Sequence, residues 1–144
     1  MNDDYEDEEN IRIRETSLCP CKSRLCYGQC CMPFHQSRAQ PETAEQLMRA
    51  RYSAYFFRLA GYLVDTTHPD KLEPGLLEDF KKHLPDFKWS FLTVVNASKG
   101  GLKDKTGKVE FIAEYYVNGE KHKLHELSRF RRHKGNWKYF DDQG

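Results

Sequence analysis

All five cysteines of this chain fall between Cys19 and Cys31, and the 113 residues that follow contain none. No other feature limits the fold so strongly. Cysteine used as a small core hydrophobe would be scattered; a knot of this kind marks a metal site, a disulfide knot or a redox centre. Cys19 and Cys21 form a Cys-x-Cys pair, Cys30 and Cys31 are adjacent, and eight residues separate the pairs. That interval lets a short loop fold back. Four thiolates then converge on one tetrahedral zinc, with Zn–S distances of about 2.3 Å. Lys22 and Arg24 would offset the double negative charge of such a tetrathiolate. Disulfides fit less well: the count is odd, and neighbouring cysteines lie closer than the usual Cα separation of ~4.4–6.8 Å. His35, four residues beyond Cys31, is an alternative fourth ligand.

The run Cys19-Pro20-Cys21, eight residues, then Cys30-Cys31 resembles the SEC-C motif, named for the C-terminal tail of the SecA translocation ATPase. The resemblance implies a knuckle over residues 19–36 that binds zinc through Cys19, Cys21, Cys30 and Cys31. Two departures stand out. The motif usually carries glycine where this chain has Lys22 and Arg24, at turns suited to positive φ. Cys26 is additional, at a position that the motif does not use as a ligand.

A chain of 144 residues is expected to form one compact domain around a real core. Its formal net charge of +1 excludes a global field that would drive it onto nucleic acid or membrane. The charge is uneven: acidic residues crowd positions 3 to 9, and basic ones recur from Lys121 to Lys138. Residues 1–18 read as an acidic flexible tail, in which Ile11 and Ile13 would add at most a short edge strand. No apolar run approaches a membrane span, and the acidic start is unlike a signal peptide. The expected compartment is therefore the reducing cytoplasm, which favours zinc over disulfides.

Beyond the knuckle the pattern is helical first and extended afterwards. Thr43 with Gln46 marks a helix start, and Leu47, Met48, Tyr52, Tyr55, Phe56 and Leu59 continue at helical spacing until Gly61 interrupts. Tyr62-Leu63-Val64 adds a turn, Thr66 to Asp70 a loop, and Leu72 to Leu84 a second helix closed by Pro85. From Lys88 the period becomes two, with Trp89, Phe91, Thr93 and Val95 on one face. Val109, Phe111, Ala113 and Tyr115 share a face of the next strand, and Asn118-Gly119 is a strong hairpin signal. Strands over Lys121–Arg132 and Trp137–Phe140 complete an antiparallel meander, giving an α+β domain over residues 42–141.

The segment Pro41 to Tyr55, His68-Pro69, His125-Glu126-Leu127-Ser128-Arg129-Phe130 and Gly135-Asn136-Trp137-Lys138-Tyr139 together resemble the YchJ-like family. The resemblance spans residues 19 to about 140. It implies a nuclear-transport-factor-2-like cone, a curved antiparallel sheet packed on N-terminal helices and preceded by the zinc knuckle. It implies no reaction.

Arg51 sits within the apolar stripe of the first long helix, so it needs a partner. Glu126 shares a strand face with Leu124, Ser128 and Phe130, and a direct or water-bridged Arg51–Glu126 pair is expected. With Tyr52, His68, Ser128, Trp137 and Tyr139, these two residues make the candidate ligand pocket. Two functional classes follow. In the first, a zinc-containing binding protein, the knuckle recognises a protein partner and the cone holds a small ligand. In the second, a small-molecule enzyme works through an acid–base cluster in the cone. The absence of a nucleophile motif, phosphate loop or dinucleotide fingerprint favours binding over catalysis. Nucleic acid is disfavoured, because the basic strand lacks the aromatic pattern of an RNA-binding sheet. The knuckle and cone are expected to fold separately, so that a chain lacking residues 1 to 36 would still fold.

Overall fold

The computed structural model describes residues 14–143. The acidic segment and the proposed strand at Ile11 and Ile13 lie outside the described residues, apart from positions 14–18. There Leu18 makes an antiparallel bridge to Cys26, and the Arg14 guanidinium lies 4.3 Å from the centre of the Phe57 ring. A 3-10 turn at Tyr27–Gln29 and the short helix α1, Met32–His35, complete the knuckle.

Helix α2 runs from Ala44 to Phe57. Its start is set by Thr43, whose side chain accepts the Gln46 amide, satisfying one of the orphan N–H groups of the first turn. Its end differs from the sequence expectation. Arg58 takes a left-handed conformation at φ 61° and returns its N–H to Ala54 and Tyr55. The break therefore falls before Leu59, and Gly61 lies inside the next helix, α3, Ala60–Asp65. A 3-10 turn at Pro69–Lys71 leads to α4, Leu76–His83, which starts later than expected, after a left-handed Gly75.

Four strands follow: β1 (Lys88–Lys99), β2 (Thr106–Val117), β3 (Glu120–His133) and β4 (Asn136–Asp142). They form one antiparallel sheet in the order β1-β2-β3-β4. Asn118 and Gly119 both have positive φ, 51° and 82°, the turn that matches the twist of a hairpin. The expected face of β1 is corrected. Register shifts between Trp89 and Phe91 and between Val94 and Asn96 break its alternation. Leu92 is therefore buried and Trp89 and Val94 half-buried, while Phe91 and Val95 are 46% and 49% exposed. At the far end of the β1–β2 pair, a Cβ on Gly107 would stand 2.5 Å from the Gly100 backbone, so this crossing requires glycine.

One apolar core joins knuckle and cone. Cys19, Cys21, Tyr27, Cys31 and Met32 belong to the same buried cluster as Leu47, Ala50, Val109, Phe130 and Trp137. Burying a large apolar side chain of this kind contributes about 1.5–3 kcal/mol. Removing the knuckle would uncover Ala50 and Ser53, each 0% exposed and each in contact with it.

Candidate metal centre and ligand cavity

The knuckle folds as its turns demand. Lys22 and Arg24 adopt φ of 66° and 74°, the left-handed conformations that glycine would take without strain. The two turns bring the Cys19, Cys21, Cys30 and Cys31 sulfurs within 4.8 Å of one another. Cys21 Sγ lies 3.6 Å from Cys30 Sγ, which lies 3.9 Å from Cys31 Sγ. Sulfurs at the corners of a tetrahedron with ~2.3 Å metal bonds stand about 3.8 Å apart, so the donor set fits a tetrahedral thiophilic cation. All five cysteines are free thiols. Cys19, then Cys30 and Cys31, hold the Cys21 thiol far below its usual pKa through hydrogen bonds. Cys19, Cys21 and Cys30 push Cys31 far above its own. Ionising all four thiols takes a bound cation.

Groups outside the sulfur set fix it to α2. The Ser53 hydroxyl lies 3.4 Å from both Cys19 and Cys31 Sγ, and Ser23 Oγ lies 3.0 Å from Cys30 Sγ. Arg49 donates to the Cys21 carbonyl at 2.7 Å. His35 is not part of the cluster. Its Nε2 meets the Ala50 carbonyl at 2.8 Å and its Nδ1 the Tyr27 hydroxyl at 2.6 Å. A carbonyl only accepts, so Nε2 carries the proton and Nδ1 accepts from Tyr27. Burial lowers the His35 pKa to about 4, which keeps the ring neutral. Cys26 also stays outside the cluster. Lys22 extends over Phe91, 5.1 Å from the ring centre. Ser53 carried no sequence signal beyond its helical spacing from Arg49.

On the other side of α2 lies a cavity of about 360 Å³, walled by α2, α4 and the sheet. Tyr55, Phe80, Trp89, Phe111, Tyr115 and Phe130 supply aromatic walls, and the exposed His83 marks a rim. Among the expected pocket residues, Arg51, Tyr52, Glu126, Ser128 and Tyr139 line it. His68 and Trp137 do not. His68 Nδ1 accepts the Asp70 amide at 3.1 Å, capping the turn at Pro69, and its ring packs on His133 and Phe140. Trp137 fills the core, and its indole donates to the Glu42 carbonyl at 3.0 Å. Trp89 was not among the expected pocket residues; the bulge beside it turns it inward against the simple alternation.

The direct Arg51–Glu126 pair is absent. Arg51 Nη1 donates instead to the Leu63 carbonyl at 2.9 Å and the Thr66 hydroxyl at 2.7 Å, and the guanidinium lies 4.5 Å from the Tyr139 ring centre. The last turn of α3 leaves carbonyls without helical partners, and a buried cation satisfies them. Glu126 accepts a short hydrogen bond from Ser128. Burial raises its pKa; the Ser128 hydroxyl opposes this, Asp142 adds to it and Arg51 opposes it. Two buried donors of the walls, the Tyr52 hydroxyl and Trp89 Nε1, have no hydrogen-bond partner. Such groups cost about 1–3 kcal/mol each.

A family model described as the YchJ middle NTF2-like domain matches residues 43–142. The chain belongs to the YchJ-like UPF0225 family. A UPF0225 protein of Ralstonia nicotianae is 43% identical over 134 residues, covering 88% of this chain and 90% of its own. Another, from Geobacter sulfurreducens, is 37% identical over 129 residues, or 90% and 80% of the two chains. A solution structure of a SEC-C motif containing protein from Rhodopseudomonas palustris aligns with TM-score 0.78 at 30% identity, covering 89% of this chain and 98% of that one. A crystal structure of a SEC-C motif containing protein from Psychrobacter arcticus gives 0.75 at 29%, covering 90% and 83%. The α+β NTF2-like fold is thus shared with solved proteins described as containing a SEC-C motif. None of the described helices is long and apolar enough to cross a membrane.

Proposed function

We propose that this UPF0225 protein is a small-molecule-binding protein whose cone is held together by zinc. Zinc would sit between Cys19, Cys21, Cys30 and Cys31, closing the knuckle and anchoring α2 by one face. The opposite face of α2 would form the floor of the ligand site. The observation that carries the binding reading is the aromatic cavity of about 360 Å³ that reaches both Arg51 and Glu126. Its size falls in the usual range for ligand sites, about 300–1,000 Å³. Interaction-only cones have no need of such a space.

The test is a thermal-shift screen of metabolites on protein whose zinc content is measured on the same sample. A ligand of the native state raises its apparent stability by mass action. Ala113 is 1% exposed in the cavity wall, and Ala113→Leu would fill part of the space. Compounds that raise the Tm of the native chain are expected to leave Ala113→Leu unmoved. An equal shift in both proteins would place the binding elsewhere.

Acid–base turnover in the same cavity is a second reading, favoured by the raised pKa of Glu126. It predicts that Glu126→Gln still binds a ligand but no longer converts it. A protein partner at the knuckle is favoured by the exposed Leu18 and Leu25 beside Lys22 and Arg24. It predicts that Lys22→Glu with Leu25→Glu weakens that association and leaves cavity binding intact.

A further inference from the structure

We propose that the cavity selects a planar, largely apolar monocarboxylate, whose carboxylate is gripped by the Nε–Nη2 edge of Arg51. The proposal rests on the cavity being a ligand site, and it names the chemistry of that ligand.

Arg51 is a buried cation that lacks a counter-ion among the described residues. It is 6% exposed and lines the cavity. All the hydrogen bonds that it makes among the described residues run from Nη1, to the Leu63 carbonyl and the Thr66 and Thr67 hydroxyls. Those acceptors are neutral. Glu126, the carboxylate of the same wall, accepts from Ser128 and makes no ion pair with Arg51. Taking a guanidinium out of water without an anion is costly, so a buried cation on a cavity wall points to an anion that the ligand brings.

The unused part of the guanidinium is also the part that fits a carboxylate. Nε and Nη2 make no hydrogen bond among the described residues. Neither is among the described polar atoms sealed from solvent without a partner, which are the Tyr52 and Tyr62 hydroxyls and Trp89 Nε1. Their N–H groups therefore reach open space, and the space that Arg51 borders is this cavity. Nε–H and one Nη2–H project in parallel, a fork that matches both oxygens of a carboxylate. The fork is also held still. Nη1 is tied to the end of α3, and Cζ lies 4.5 Å from the Tyr139 ring centre.

The remaining lining sets the body and the charge of the ligand. Aromatic walls favour a planar apolar body packed by stacking and edge contacts. One guanidinium suits a monoanion; a dianionic phosphate would keep an unmatched charge beside Glu126. Burial favours the neutral form of Glu126, which does not repel a carboxylate.

The experiment compares cinnamate with cinnamamide, which share a planar body but differ in charge, by ligand-observed NMR on the zinc-loaded full chain. Cinnamate is expected to bind about tenfold more tightly, the margin of charge-assisted hydrogen bonds over neutral ones. Its binding should also shift the Arg51 Nε–H signal in a nitrogen–proton correlation spectrum of the native chain. Arg51→Gln should abolish the preference, leaving the two affinities within about twofold of each other. The Nε–H signal of the native chain keeps the test independent of how that variant folds. Equal binding of the two compounds to the native chain would overturn the proposal but leave the cavity as a ligand site, as would saturable cinnamate binding that leaves Arg51 Nε–H unmoved. An unchanged preference in folded Arg51→Gln would also overturn it, since the anion would then sit elsewhere. If neither compound binds at millimolar concentration while a neutral thermal-shift hit loses its effect in Ala113→Leu, selection for an anion is refuted and the cavity reading stands; if no such hit is found either, both fall.

Discussion

Ser53→Ala removes a single oxygen, yet it should weaken zinc binding by one to two orders of magnitude. Ser53 is 0% exposed, and its hydroxyl stands 3.4 Å from the sulfurs of both Cys19 and Cys31. It is the one hydroxyl of α2 that touches the proposed metal ligands. With zinc bound, its proton would point at a thiolate, and hydrogen bonds to charged groups contribute about 1.5–3 kcal/mol net. Outer groups that orient metal ligands typically change affinity by 10–100-fold when lost, or about 1.4–2.7 kcal/mol. The two routes agree. The assay is competition with a chromophoric chelator at fixed pH. At a free zinc concentration far above both dissociation constants, the same loss should appear as about 1.4–2.7 kcal/mol of unfolding free energy, because metal binding to the native state is linked to folding. Unchanged affinity with an intact fold would refute the claim that α2 holds the metal centre through Ser53. Ser53→Thr keeps the hydroxyl but adds a methyl to a full core; recovered affinity there would tie the effect to the hydrogen bond.

Other outcomes follow from the same geometry. Serine at Cys19, Cys21, Cys30 or Cys31 should lower the zinc content, whereas Cys26→Ser should leave it near one equivalent by elemental analysis, since Cys26 lies outside the cluster. Arg51→Met with Glu126→Gln should show a coupling energy below about 1 kcal/mol in a denaturant double-mutant cycle, because Arg51 is committed to Leu63 and Thr66; coupling near 3 kcal/mol would restore the direct pair. Burial raises the Glu126 pKa in the folded chain, so the native state binds this proton more tightly than the unfolded state. Its stabilising contribution is complete below the ordinary glutamate pKa of about 4.3 and is lost as pH rises through the raised value; Glu126→Gln should remove that part of the slope in urea unfolding. Gly107→Ala should cost about 1–3 kcal/mol, since its Cβ meets the Gly100 backbone; a neutral result would show that the strand crossing relaxes.

Local chemistry was the most legible part of the sequence. The Thr43 cap, the Asn118-Gly119 hairpin and the inward face of β2 each follow from a few neighbouring residues, and the structure carries all three. The cysteine spacing likewise anticipated which four sulfurs converge. What failed depended on partners distant in sequence. A uniform period of two could not report the β1 bulges, so Trp89 was grouped on one face with Phe91 and Val95, of which Trp89 alone lines the cavity. Opposite charge on two inward faces suggested the Arg51–Glu126 pair, but pattern reading does not see the carbonyl end of α3 that competes for the guanidinium. His68 was matched to a pocket by its place in a loop before proline and Trp137 by strand alternation, whereas packing gives them a turn to cap and a core to fill. The joining of knuckle and cone through Arg49, Ala50 and Ser53 needed the helix and the metal loop in contact before it could be read.

Methyl NMR can observe the cavity itself. Met48 and Ala113 carry methyl groups in its wall, while Leu18 and Leu25 carry them on the exposed knuckle. Titrating the zinc-loaded chain with a thermal-shift hit should move the Met48 and Ala113 signals together, along one saturating curve, and leave Leu18 and Leu25 in place. Saturable shifts confined to Leu18 and Leu25, with Met48 and Ala113 unmoved, would contradict the central claim that this cone is a small-molecule site.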